Sequence, residues 1–301
     1  MANLKSVKAK IISYKKTGTV THAMEAVSAV KMRKSQERAL NARSYAAAAL
    51  STLERLSGTA DLAKHPLMQV REGKTALIII TSDKGLAGAL NSGVIRAAER
   101  TLQERALDKS TVDVYAYGRR GGEYFRARGY TTSVSTNVSD DIPERDVMSL
   151  TQSIVSNPAY TSVIVAYQNF ISTFEQAPTV RQIVPINAAT LSEMVAGIRP
   201  VKGKYAPQHT EKDETPAAYT IEPDADSVLT VLLPRLLAIA VFHALLENKA
   251  SEHSARMVAM KSATDKAKEM AQKLTRTFNK VRQASITREV SEITSGIEAM
   301  K

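Results

Sequence analysis

The sequence predicts an α/β protein in which a long antiparallel coiled coil of the N- and C-terminal helices joins a central Rossmann-like α/β domain. Three observations predict it. Arg235 to Ser295 contains neither glycine nor proline and is dense in Ala, Leu, Met, Lys, Arg and Glu, all good helix formers; as one helix it would span roughly 90 Å. Residues 4–56 carry a second helical run with a heptad frame. Between them, short β-branched runs alternate with helical ones, the pattern of a mainly parallel sheet with helices on both faces.

In the first helix one track is Leu4, Ile11, Gly18, Glu25, Met32, Ala39, Ala46 and Leu53. The other is Val7, Tyr14, Thr21, Ser28, Ser35, Ala42, Ala49 and Leu56. The ends are apolar and the centre is small or polar, which lets two helices approach closely. Near the centre an apolar stripe sits one residue earlier, at Val20, Met24 and Val27, part of which the drift of a straight helix against a 3.5-residue repeat explains. Thr17-Gly18-Thr19 is its weak point by propensity.

The middle reads as strand Thr75–Thr81, helix Ala87–Ala106, strand Thr111–Tyr117, a short helix Glu123–Arg128 closed by Gly129, helix Pro143–Asn157, strand Ser162–Gln168, and strand Val180–Pro185 bounded by Pro178 and Pro185. Residues 199–216 form a polar, proline-containing loop. Ala218–Glu222 is a candidate last strand. Pro223 opens the final helix at a position proline favours, and Pro234 should kink or restart it. The C-terminal frame has Met260, Ala267, Leu274 and Val281 on one track and Ala263, Met270, Thr277 and Ala284 on the other. At Arg282-Gln283-Ala284-Ser285 the phase slips, and Ile286, Val290, Ile293, Ile297 and Met300 continue in a new one. Two heptad helices at opposite chain ends suggest an antiparallel pair. The second should outreach the first by roughly 30 Å. The domain boundaries read 1–57, 58–223 and 224–301.

Composition narrows the classes. The chain of 301 residues suffices for one or two domains with a real core. Cysteine is absent, so no disulfide framework or thiolate chemistry is available. Met1 to Lys16 is lysine-rich without the apolar region of a signal peptide. Val228–Leu246 imitates a membrane span but carries Pro234, Arg235 and His243, and a mid-helix Arg costs about 2.5–3.5 kcal/mol on insertion; a buried helix is the better reading. The net charge of +11 is unevenly placed. Residues 1–57 hold 11 Lys and Arg against 3 Asp and Glu, residues 224–301 hold 12 against 9, and the middle is neutral. Such a field favours an acidic partner or nucleic acid.

Few motifs carry chemistry. Thr81–Asn91 (TSDKGLAGALN) follows a strand and opens a helix, where phosphate loops sit, yet it is neither G-x-G-x-x-G nor a P-loop; a tight strand-to-helix turn accounts for it. Ser13-x-x-Lys16 and Ser28-x-x-Lys31 match a Ser–Lys pattern by chance on a lysine-rich helix. The histidines at 22, 65, 209, 243 and 253 show no metal spacing. Asp140-Asp141 precede a helix start and read as caps. No active site assembles. Lys31, Arg33, Lys34 and Arg38 make a dense basic cluster, and Lys31 and Lys34 prolong the stripe of Val20, Met24 and Val27; that points to a docking surface.

Val20–Gln36 (VTHAMEAVSAVKMRKSQ), Ser251–Asp265 (SEHSARMVAMKSATD) and Asn279–Thr287 (NKVRQASIT) closely resemble the gamma-subunit family of F-type ATP synthases. Lys64-His65-Pro66, Thr81–Asn91, Phe170–Thr179 (FISTFEQAPT) and Glu222-Pro223-Asp224 agree too, so the resemblance covers essentially the whole chain.

The resemblance implies a central rotor shaft that hydrolyses nothing, binds no cofactor, metal or nucleotide, and turns inside a hexamer of three alpha and three beta subunits. Its other implied partners are the epsilon subunit and the ring of c subunits. It implies a protein peripheral to the membrane, on the cytoplasmic face of the plasma (inner) membrane, coupling proton flow to ATP synthesis or hydrolysis at beta. Carried over by residue, Arg282 and Gln283 match the contact with beta catch loops. Lys31, Arg33 and Lys34 match a basic collar facing acidic loops of beta, and Met24 and Arg256 lie where shaft and hexamer mesh. Tyr219 and Glu222 match the foot near the c ring. Ile293, Ile297 and Met300 match an apolar tip turning in a sleeve of alpha and beta. Gly18 departs from the helix formers of several relatives, which softens the helix, and the 199–216 loop is long and charged. No cysteine pair of the redox-regulated plastid kind is present. Two other readings remain: a coiled-coil nucleic-acid-binding protein, which needs a basic stripe beyond the zipper, and a small-molecule enzyme, which needs convergent titratable groups at the strand ends.

Overall fold

A computed structural model describes residues 4–57, 65, 67–135, 143–186 and 224–300. Its elements, in chain order, are α1 (Leu4–Ser57), β1 (Lys74–Ile80), α2 (Leu90–Glu104), β2 (Val112–Tyr117), α3 (Arg119–Ala127), β3 (Thr131–Ser135), α4 (Glu144–Val155), β4 (Tyr160–Phe170), β5 (Gln176–Val184) and α5 (Ala225–Glu298). They fall into two compact units: Met1–Ala29 with Arg256–Lys301, the helical unit, and Val30–Ala255, the sheet unit.

In the sheet unit the strand order is β3-β2-β1-β4-β5. The first four strands are parallel and β5 runs antiparallel to β4. β1 is central and buried on both faces beyond its first residue, which is why it reads as an unbroken apolar run rather than an alternating one. Leu77 and Ile79 look toward Val94, Ala98 and Leu102 of α2 and Phe125 of α3. Ala76, Ile78 and Ile80 look toward Val147 and Ile154 of α4 and the start of α5. There Leu233, Leu237, Val241 and Leu245 are all fully buried. The segment that imitates a membrane span is therefore a core helix under the sheet.

Several expectations are corrected here. Of the two outcomes expected at Pro234, a restart is excluded, since α5 runs through it as one helix. Asp224 caps it, its Oδ1 accepting the Ser227 N–H at 2.8 Å and its Oδ2 the Ser227 hydroxyl at 2.8 Å. β5 starts at Gln176 and includes Pro178. β3 was not read from the sequence, and α3 begins at Arg119 rather than Glu123. Ala218–Glu222, the 199–216 loop, Pro223 and Asp140-Asp141 lie outside the described residues; α4 has Pro143 at its cap position, without a side-chain cap.

In the helical unit α1 and α5 pair antiparallel: the Thr21 and Thr264 hydroxyls are hydrogen-bonded at 2.6 Å, and Gly18 faces Ala267. The buried positions of α1 are Val7, Ile11, Gly18, Thr21 and Ser28, and Met32, Ser35 and Ala39 in the sheet unit keep the same period. All lie on the two predicted tracks. Val20 and Val27, in the stripe one residue earlier, are more than half exposed. Size decides this: backbones that meet at Gly18 and Ala267 have no room for valine between them. Hydroxyls suit such a seam because each binds its own helix, as Thr21 does to the Thr17 carbonyl, Ser28 to Met24 and Thr264 to Met260.

On α5 the track Met260, Ala267, Leu274, Val281 faces the seam as predicted. The second track is corrected by one residue. Thr264 and Ala271 are buried, followed by half-buried Phe278 and Ser285, while Ala263 and Met270 are half-buried and Thr277 and Ala284 exposed. With Gly18 level with Ala267 and Thr21 with Thr264, Leu4 comes level with Val281. From there to Glu298, roughly 25 Å of α5 at 1.5 Å per residue has no α1 partner.

Candidate interaction surfaces

Lys31, Arg33 and Lys34 are exposed on α1 in the sheet unit. In the helical unit Val20 and Val27 are exposed on α1, with Met24 half-buried between them. Val20, Met24 and Val27 thus form an outward apolar stripe of the helical unit and not a seam, and Lys31 and Lys34 are outward cations of the sheet unit. Arg256 behaves differently: it is only 8% exposed and its own chain covers it. Arg282 and Gln283 are exposed just past the level of Leu4. The phase slip falls there because the seam ends there. Beyond it Ile286, Val290, Ile293, Ile297 and Met300 are exposed, Met300 at 90%. Tyr219 and Glu222 lie outside the described residues.

An open groove of about 700 Å³ follows the seam, floored by Gly18, Ala267 and Ala271 and flanked by Lys15, Lys268 and Arg276. It is the trough that small residues leave between two closely packed helices.

The Thr81–Asn91 segment turns out to be a fastening. It holds the start of α3, whose first N–H groups it takes. Asp83 Oδ1 accepts the Arg119 N–H at 2.8 Å, the Ser82 carbonyl that of Arg120 at 3.3 Å, and Thr81 Oγ1 that of Gly121 at 2.9 Å. Asn91 Oδ1 accepts the Ser82 N–H at 2.9 Å, tying the loop to α2. Gly118 joins β2 to α3 with φ +97°, and a Cβ there would stand 2.1 Å from the Thr81 carbonyl oxygen. An anion at the start of α3 would have to displace this whole set.

Other candidates are equally occupied. The Ser28 hydroxyl bonds to the Met24 carbonyl inside the seam, away from any substrate. His22 is exposed beside Glu25 at 3.5 Å, and His65 Nδ1 accepts the Leu67 N–H at 3.2 Å. His209 lies outside the described residues. Among the described residues no three His, Asp or Glu side chains cluster to hold a metal.

Sequence reading missed one feature. From His243 to Ser254 α5 stays buried while its chemistry turns polar: His243, Glu247, Asn248, Lys249, Ser251, Glu252, His253 and Ser254 are all buried. His243 Nδ1 lies 3.6 Å from Glu247, and Lys249 Nζ lies 3.3 Å from Glu252. Burial, with the Glu247 charge second, pushes the Tyr167 hydroxyl far above its usual range. The available signal was a long glycine-free helix whose hydroxyl and amide residues recur every third position at 248, 251 and 254.

A sequence model of the family described as ATP synthase matches residues 3–300. The chain is 37% identical over 305 residues to the ATP synthase gamma chain of Geotalea daltonii, covering all of both proteins. This chain belongs to the ATP synthase gamma-chain family. The gamma chain of Roseiflexus castenholzii is also 37% identical, over all of this chain and 99% of its own. The fold recurs in a chain of the Euglena gracilis mitochondrial ATP synthase, with TM-score 0.64, 16% identity, and 99% of this chain and 94% of that one covered. A chain from the central stalk and c-ring of the Tetrahymena thermophila mitochondrial ATP synthase matches with TM-score 0.57 and 21% identity, over 81% of this chain and 99% of its own. Gamma-chain membership accounts for a chain with two long terminal helices and a sheet domain.

Proposed function

We propose that this chain is the central-stalk rotor of an F-type ATP synthase, turning inside a hexamer of three alpha and three beta subunits and coupling c-ring rotation to ATP synthesis or hydrolysis on beta. The observation that carries this reading is the end of α5: a helix continuing past the last level of its partner with Ile286, Val290, Ile293, Ile297 and Met300 exposed. An apolar surface of this kind needs a cover, and one without hydrogen-bonding groups slides with little registry, which suits a bearing.

In this reading Ile293, Ile297 and Met300 run in the apolar sleeve, Arg282 and Gln283 meet beta catch loops where the seam ends, and Lys31, Arg33 and Lys34 face acidic loops of beta beside Met24. Arg256 belongs to the same beta-contact set, at a position that is 8% exposed. Tyr219 and Glu222 serve the foot at the c ring, with epsilon beside it. The working division is a shaft helix over 1–57, a Rossmann-like domain over 58–223 and a second shaft helix over 224–301. The chain itself carries no catalytic group and works at the cytoplasmic face of the membrane. Co-expression with alpha and beta, followed by native mass measurement, tests the reading. One copy per three alpha and three beta, with ATP-driven rotation of a bead on this chain, supports it; failure to enter the hexamer overturns it.

A further inference from the structure

The sheet unit holds α5 in two chemically different ways. Over Leu233–Leu245 the contact is aliphatic and buried under the sheet. Apolar packing is non-directional: it opposes separation strongly, and turning about the helix axis only through the fit of side chains. Beyond that stretch the contact becomes a set of directed hydrogen bonds to the backbone of the β4–β5 hairpin. Asn248 Oδ1 accepts the Gln168 N–H at 3.1 Å, and the Ser251 hydroxyl donates to the Gln168 carbonyl at 3.2 Å. One turn on, the Ser254 hydroxyl donates to the Thr173 carbonyl.

Gln168 needs this help. β1 pairs with β4 only as far as Ala166, and Gln168 stands opposite Pro178 of β5 with both of its main-chain groups turned away from that strand. Both main-chain groups of Gln168 are taken by side chains of one helix, so α5 stands in for a missing strand. The turn beyond is itself pinned. The Ser172 hydroxyl oxygen accepts the N–H groups of Phe174 and Glu175, and Gln176 Nε2 donates to the Ser172 and Thr173 carbonyls. Asn248, Ser251 and Ser254 are fully buried, so water cannot replace a bond that is lost. Moving α5 along its axis by one residue turns each side chain about 100° away from its partner and breaks the set together.

We propose that Asn248, Ser251 and Ser254 are positioning residues that lock the rotational setting of α5 on the β4–β5 hairpin, so that twist carried by the helix reaches the sheet without slippage. This rests on the rotor reading. It adds the element that resists twist, which apolar packing alone supplies poorly.

The test uses the assembled ATP synthase in vesicles with the chain carrying Ser251→Ala and Ser254→Ala, which remove hydroxyls with almost no change of volume. ATP hydrolysis at low load stays near that of the unchanged enzyme. Protons pumped per ATP against an opposing gradient fall about fivefold or more, the size expected from losing one or two net hydrogen bonds, and the Gln168 amide exchanges about tenfold faster or more. Ser251→Thr, which keeps a hydroxyl, restores the pumping ratio. A purely structural role would lower assembly yield and leave the ratio in assembled enzyme unmoved. An unchanged ratio beside faster Gln168 exchange overturns the lock, and so does unchanged exchange. If the double variant does not assemble, Ser251→Ala alone must show the same loss in smaller measure, and an unchanged ratio there overturns the lock as well. Failure of the unmodified chain to enter the hexamer would sink the rotor reading instead, so the two failures are distinguishable.

Discussion

α5 carries two apolar stretches made of the same residue types with opposite fates. Leu233, Leu237, Val241 and Leu245 are fully buried against the sheet, whereas Ile286, Val290, Ile293 and Ile297 are each more than half exposed. Helical periodicity is present in both. What separates them is whether a complementary surface exists among the described residues: the sheet supplies one for the first, and α1 stops short of the second. An apolar stripe in a sequence therefore says that a cover is needed, not where it comes from. In the proposed rotor, one such stripe lies inside its own fold and the other is left for a partner.

The sharpest way to break this comparison is to cut both stretches. Leu237→Ala should destabilise the isolated chain by about 2–5 kcal/mol, because Leu237 is wholly buried and the hole cannot refill from outside. Chemical unfolding followed by circular dichroism reads it. A loss below about 1 kcal/mol would mean that the contact between α5 and the sheet is looser than its burial implies.

The seam in the helical unit shows a third kind of cover, small and polar. Thr21→Val keeps the shape of the side chain but removes the 2.6 Å bond to Thr264. It should cost about 1 kcal/mol, with a double-mutant cycle against Thr264→Val recovering most of that as coupling. Additive effects would show that the two hydroxyls serve only their own helices.

Gly18→Ala should have a smaller effect of the opposite sign. A Cβ at this position meets Ala267 Cβ at 3.6 Å, an ordinary contact, and alanine is a better helix former than glycine by about 0.8–1 kcal/mol. A rise in stability of about 0.5–1 kcal/mol in the same unfolding measurement is expected. A loss would mean that the backbones approach more closely than the structure shows.

These seam residues also show where sequence reading succeeds and where it stops. Both α1 tracks were legible because a heptad fixes which positions face a partner. On α5 the second track was displaced by one residue because Ala263 and Met270 look more apolar than Thr264 and Ala271, while the seam selects by size. The four longer strands were legible as β-branched runs, and the short edge strand Thr131–Ser135 was not, since its Thr and Ser also suit a loop. The start of α3 was hidden by Gly121 and Gly122, which favour a loop by propensity; a Cβ on Gly122 would lie 2.5 Å from Val134 Cγ2, so packing fixes glycine inside a helix there. Among the candidate contact residues, Lys31, Arg33, Lys34, Arg282 and Gln283 are on the surface as expected. Arg256 is inside, a difference that no local pattern of charge reveals. The buried polar run around Asn248 escaped notice because its partners are backbone groups of a distant hairpin.

The least disruptive substitution tests the comparison most directly. Ile293 is 64% exposed on α5 past the end of the seam. Ile293→Ser removes apolar surface that the chain itself does not bury, so the stability of the isolated chain should change by no more than about 0.5 kcal/mol. If the proposed bearing holds, the same change in the assembled complex acts on a covered surface. There it should weaken retention of this chain in the alpha/beta hexamer, read as faster dissociation on dilution, and the effect should vanish in the isolated chain. If Ile293→Ser destabilised the isolated chain as Leu237→Ala does, the end of α5 would have a cover within its own molecule and the contrast between the two stretches would fail. If it altered neither the chain nor the complex, the exposed stripe would not be a bearing surface.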